Sequence, residues 1–83
     1  MNVEEDRAIA AKRRKARKYT REPERVMLLE IKMTMRSEHA EREISFSDDV
    51  WSCTCDFYTT RRTCSHVMAV QEMLFENLGI RQP

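Results

Sequence analysis

Val50-Trp51-Ser52-Cys53-Thr54-Cys55-Asp56, then Cys64-Ser65-His66-Val67-Met68-Ala69-Val70, are the two stretches whose reading decides the fold, and eight residues separate Cys55 from Cys64. All three cysteines of the chain lie in this window. On a strand, residues two apart share a face with their backbones about 6.5–7 Å apart, so two sulfurs can converge on one metal at about 2.3 Å each. A short third strand over Val50 to Cys55 therefore makes Cys53 and Cys55 one half-site. The second pair cannot lie wholly within an α-helix, because two residues span roughly 200° around its axis. Cys64 is thus expected at or just before a helix start, with His66 in the first turn. Helical side chains lean toward the N-terminus, which aims that imidazole back at Cys64 and the sheet end.

Three thiolates and an imidazole form the borderline-soft donor set that suits Zn2+, and four ligands close a tetrahedron. With no open position, metal-assisted hydrolysis is disfavoured. Three thiolates, one neutral imidazole and Zn2+ leave a net charge of about −1. Asp56 does not relieve it. Arg61 and Arg62 are the basic residues expected to offset it, and they are equally placed to touch phosphate.

Upstream of this window the hydrophobic period is two. Met27, Leu29, Ile31, Met33 and Met35 are expected to point one way, with Glu30, Lys32, Thr34 and Arg36 opposite, in a half-buried strand from Val26. Ser37 to Glu41 turns the chain, Ile44 and Phe46 mark a second strand, and Ser47-Asp48-Asp49 supplies the next turn. Downstream, Val67, Val70, Leu74 and Leu78 return to helical spacing. Asn77-Leu78-Gly79-Ile80 reads as the stop, with Gly79 left-handed and Ile80 folding back onto Phe75. The sequence thus predicts a small α+β domain: an N-terminal helix, an antiparallel sheet of two to three strands, and a C-terminal helix stapled to the sheet by zinc. A core of this size supplies only about 3–5 kcal/mol, so a staple is needed.

Val3 to Tyr19 contains neither Gly nor Pro and is rich in Glu, Ala, Lys and Arg, with acidic residues first and basic residues last. Those choices favour a helix of about 15 residues and match its dipole at both ends. Its apolar content is thin, so it is expected to lie on the body or project from it. The net charge of the whole chain is +1, yet its distribution is uneven. Residues 1–21 hold eight basic and three acidic side chains, a net +5, and the remainder holds seven and eleven, a net −4. The chain divides into a basic helical arm over 1–22, a zinc-finger domain over 23–80 and a tail over 81–83.

Function classes narrow accordingly. A chain of 83 residues with one glycine holds a single small domain and no glycine-rich phosphate loop, which excludes a two-domain enzyme and the usual nucleotide fingerprints. Apolar runs of four residues, Val26 to Leu29 and Val67 to Val70, fall far short of the roughly 20 that span a bilayer. The acidic start is opposite to a secretory signal, and the expected setting is intracellular, cytoplasmic or nuclear. No membrane partner and no small-molecule substrate is inferred. Lys12, Arg13, Arg14, Lys15, Arg17 and Lys18 suggest contact with nucleic acid, since each cation near a phosphate releases counterions. Their simplest alternative is a solvated helix face. A redox pair of cysteines or a Cys64/His66 nucleophile is a weaker reading, as no third orienting group can be argued. The methionines are read as core, His39 as solvated, and Trp51 as a lid over the core or metal in preference to a base-stacking platform.

The pattern Cys-x-Cys, eight residues, Cys-x-His, after a strand pair and running into an apolar helix, resembles the SWIM-type zinc finger over roughly residues 24–78. That resemblance implies a zinc-bound ββα fold that binds DNA or proteins, with Cys53, Cys55, Cys64 and His66 as its zinc ligands. It implies a non-catalytic module, here without the larger enzymes to which such fingers are often appended. Many members have Pro before the third ligand; Thr63 stands there in this chain and is able to cap a helix. The leading expectation is a zinc-binding module for nucleic acid, and the alternative is a protein-interaction adaptor whose zinc is purely structural.

Overall fold

The computed structural model describes residues 3–83. Helix α1 spans Val3–Thr20 and is followed by a short 3-10 turn, Pro23–Arg25. Three strands come next: β1 Ile31–Arg36, β2 Glu41–Ser47 and β3 Val50–Cys53. Helices α2, Asp56–Arg61, and α3, Ser65–Gln71, complete the body, and α3 widens into a π-helical turn, Glu72–Asn77. This is the α+β architecture expected, with a three-stranded antiparallel sheet in the order β1-β2-β3. Among the described residues no helix is long and apolar enough to cross a membrane.

The register explains which side chains reach the core. Ile31 pairs with Phe46, Met33 with Ile44 and Met35 with Arg42; on the other side of β2, Ile44 pairs with Cys53 and Phe46 with Trp51. Alternation then puts Ile31, Met33, Met35, Arg42, Ile44, Phe46, Trp51 and Cys53 on one face. Ile44, at its centre, is fully buried. Helix α3 covers that face with Val67 and Val70, while Met33, Met35, Trp51 and Leu74 pack around the cluster. Trp51 packs at a tilt against Phe46, ring centroids 4.9 Å apart, and meets Phe75 edge-on at 6.2 Å, so it serves the core as expected. The opposite face is polar and carries the Lys32–Glu43 ion pair at 3.6 Å.

Several boundaries differ from expectation. β1 begins at Ile31, five residues late, because Val26 to Leu28 are held by the C-terminus: Leu28 N–H donates to the Arg81 carbonyl at 3.0 Å, and Arg81 N–H donates to Val26 at 2.9 Å. Leu29, expected inside, is 71% exposed. β3 ends at Cys53, and the eight-residue spacer holds helix α2 where only a connection was expected. Met33 and Met35 join the core, whereas Met27, Met68 and Met73 are exposed. Leu78 is also exposed.

The turns follow their residues more closely. Asp48 and Asp49 both have positive φ, 50° and 64°, as a two-residue hairpin with right-handed strand twist requires. Gly79 takes φ 78°, and Ile80 N–H closes back on the Leu74 carbonyl at 2.9 Å. A Cβ at Gly79 would sit 3.0 Å from Pro23 Cγ, so this glycine also permits the close approach of the arm's root. α1 itself projects: every residue from Asp6 to Thr20 is exposed. It is tethered at its C-terminal end, where Arg25 lies 5.5 Å over the Tyr19 ring.

Candidate metal centre

The ligands come from three places in the fold. Cys53 is the last residue of β3. Cys55 was expected on the same strand, yet it lies beyond the end of β3 and caps α2, where its sulfur accepts from Tyr58 N–H at 3.4 Å. Cys64 caps α3 in the same way, its sulfur accepting from Val67 N–H at 3.4 Å. Sulfur thus takes the role expected of the Thr63 hydroxyl. His66 stands in the first turn of α3, as the spacing required, with Nδ1 3.7 Å from Cys53 Sγ.

These elements bring the four ligand atoms of Cys53, Cys55, Cys64 and His66 within 4.8 Å of one another. The three cysteines are free and buried. Two of them accept backbone N–H bonds, which satisfy lone pairs that a metal leaves unused and favour the thiolate. Burial pushes the Cys55 thiol up, but the Tyr58 N–H and the neighbouring His66, Cys64 and Cys53 outweigh it and bring it down to about 7. At Cys53 burial prevails and the thiol rises to about 11. Within the cluster, then, hydrogen bonding favours the thiolate at Cys55, and burial favours the thiol at Cys53.

The cluster is also the core. Cys53, Cys55 and Cys64 belong to the same buried group as Ile44, Tyr58, Val67 and Val70, so an ion held by them would join β3, α2 and α3 at their buried ends. Tyr58 strengthens that junction by donating its hydroxyl proton to the Trp51 carbonyl.

Arg61 and Arg62, expected to offset the charge of the centre or to touch phosphate, do not line the groove over the ligand cluster. Both are exposed at the C-terminal end of α2, with Arg62 left-handed at φ 61°. The basic residue in the groove over the ligands is Arg42, together with Asp56 and Phe57. Its position was readable, since Arg42 lies two residues before Ile44 and so shares its face; Tyr58, inside the spacer, gave no such signal. Lys12, Arg13, Arg14, Lys15, Arg17 and Lys18 are all exposed on α1, and none belongs to the ligand cluster. The chain matches no protein-family model, no curated protein and no solved structure.

Proposed function

We propose that this chain is a non-catalytic, SWIM-like zinc module that binds nucleic acid through its basic arm. The observation that carries the zinc reading is the convergence of three buried sulfurs and one imidazole nitrogen within 4.8 Å. That donor set suits zinc in its structural mode, where four protein ligands leave no place for a reacting molecule. Cys53, Cys55, Cys64 and His66 would hold the ion, and what it supplies is folding energy.

The nucleic-acid reading is supported by α1. An 18-residue helix is about 27 Å long, and Arg13, Arg14 and Arg17 line one shallow side of it with Ile9. Cations on the other sides, among them Lys12, Lys15 and Lys18, leave it basic over most of its circumference. Such a rod suits phosphates approaching from two sides, as at a groove, better than a flat acidic surface. The test is binding of the zinc-loaded protein to single- and double-stranded nucleic acid across a salt series. Affinity should fall as salt rises, and reversing Arg13, Arg14 and Arg17 should flatten the slope without releasing zinc. Absence of binding at low salt would favour the protein adaptor, for which the exposed Val26, Met27 and Leu29 beside the arm's root offer an apolar surface.

A further inference from the structure

Arg42 is the one inward-facing charged residue on β2, paired in register with Met35 of β1. Its Nε is buried and has no hydrogen-bond partner among the described residues. A buried donor left unpaired is costly, and a guanidinium more so. Two carboxylates stand near it, Asp56 in the groove over the ligands and Glu38 in the adjoining one. Neither is paired with it: the described ion pairs are Arg25–Glu22 and Lys32–Glu43. Arg42 lines both grooves together with Ser65 and His66, and Cys55 and Cys64 line the first of them as well.

We propose that Arg42 is a positioning residue that balances the charge of the loaded metal centre. The inference rests on the zinc reading above. Loading replaces the remaining thiol protons by Zn2+ and leaves a cluster of net charge about −1. A fixed cation in the groove over the sulfurs favours that change, and a carboxylate in the same groove opposes it. Asp56 therefore works against Arg42, and the half-buried guanidinium, less screened than Arg61 or Arg62 in solvent, decides the balance.

Zinc affinity, measured by competition with a chromophoric chelator, tests this in the full chain. Arg42→Gln should bind zinc about 10- to 100-fold more weakly, the range found when groups that support metal ligands are removed. Arg42→Lys should recover most of the loss, and Asp56→Asn should bind more tightly than the parent. With Co2+ in place of zinc, the thiolate-to-metal absorption band should shift in Arg42→Gln and return in Arg42→Lys, a change that a merely packing role would not produce. Binding by Arg42→Gln within about threefold of the parent, or equal losses in Arg42→Gln and Arg42→Lys, overturns the role of Arg42 while leaving the zinc reading intact. Should Arg42→Gln fail to fold at saturating zinc, Asp56→Asn decides alone, and no tightening there overturns it. A parent chain that takes up no metal overturns both readings.

Discussion

Helix α1 and helix α3 are both continuous helical segments next to a turn, yet they are held by opposite means. α1 has 18 residues and buries none of its described side chains, so it depends on propensity, charge order and a tether at Tyr19. α3 has seven residues, too few to persist alone, and depends on Val67 and Val70 in the core and on Cys64 at its start. The longer helix can be lost without harm to the body. The shorter one should not be dispensable, because Cys64 and His66 of the candidate metal cluster lie at its start.

The largest expected effect breaks the two apart. A strong chelator should abolish the cooperative unfolding transition of the body while leaving residual helical circular dichroism from α1, and deletion of residues 1–21 should do the reverse, keeping metal and transition. A body that stays folded and reduced with no metal would contradict this. Next, Ile44→Ala removes the side chain against which α3 and the sheet pack, and should cost about 3 kcal/mol in chemical denaturation of the metal-loaded chain. A loss below about 1 kcal/mol would place the core elsewhere.

Acid sharpens the same contrast. The folded Cys55 thiol lies at about 7 against an ordinary value of 9.0, so its ionisation stabilises the folded site fully above pH 9, and this contribution is lost as pH falls through 7. A bound cation holds the sulfurs ionised below that value, so the loaded chain should keep its metal at pH 7 and release it on further acidification, with the body unfolding at the same pH, as followed by metal content and fluorescence of Trp51. Unfolding that lags metal release by more than about one pH unit would mean the sheet and α3 hold without the ion. The smallest effect lies far from the metal: Asp49→Gly, at φ 64°, relieves a left-handed aspartate in the hairpin and should stabilise the body by about 0.5 kcal/mol. Thermal unfolding of the loaded chain would show it, and a destabilisation would mean that the Asp49 side chain has a role in the turn.

Much of this was legible in the residues, and the exceptions share a cause. Period-two alternation placed Ile44, Phe46, Met33 and Met35, and the two-residue spacing of Cys64 and His66 forced the start of α3 to lie between them. The same spacing misplaced Cys55, because it suits either a strand or a strand end followed by a helix cap, and only the Tyr58 N–H decides between them. Leu29 and the late start of β1 depend on Arg81, a partner more than fifty residues away, which no local pattern reports. Arg42 was overlooked because charge was sought next to the ligands in sequence, whereas pairing across a sheet brings it there from a different strand.

The link between Val26–Leu28 and Arg81 also governs how the molecule bears load. A pull along α1 passes through the Pro23–Arg25 turn into an extended segment that is bonded to Arg81 by two hydrogen bonds. Tension along that segment strains both bonds together, in shear, instead of opening them one after the other. Arg81 follows directly on the π-helical turn and Gly79, so the strain travels along the C-terminal helix, whose far end holds Cys64 and His66. The arm and the candidate metal cluster are thus joined through one hydrogen-bonded path.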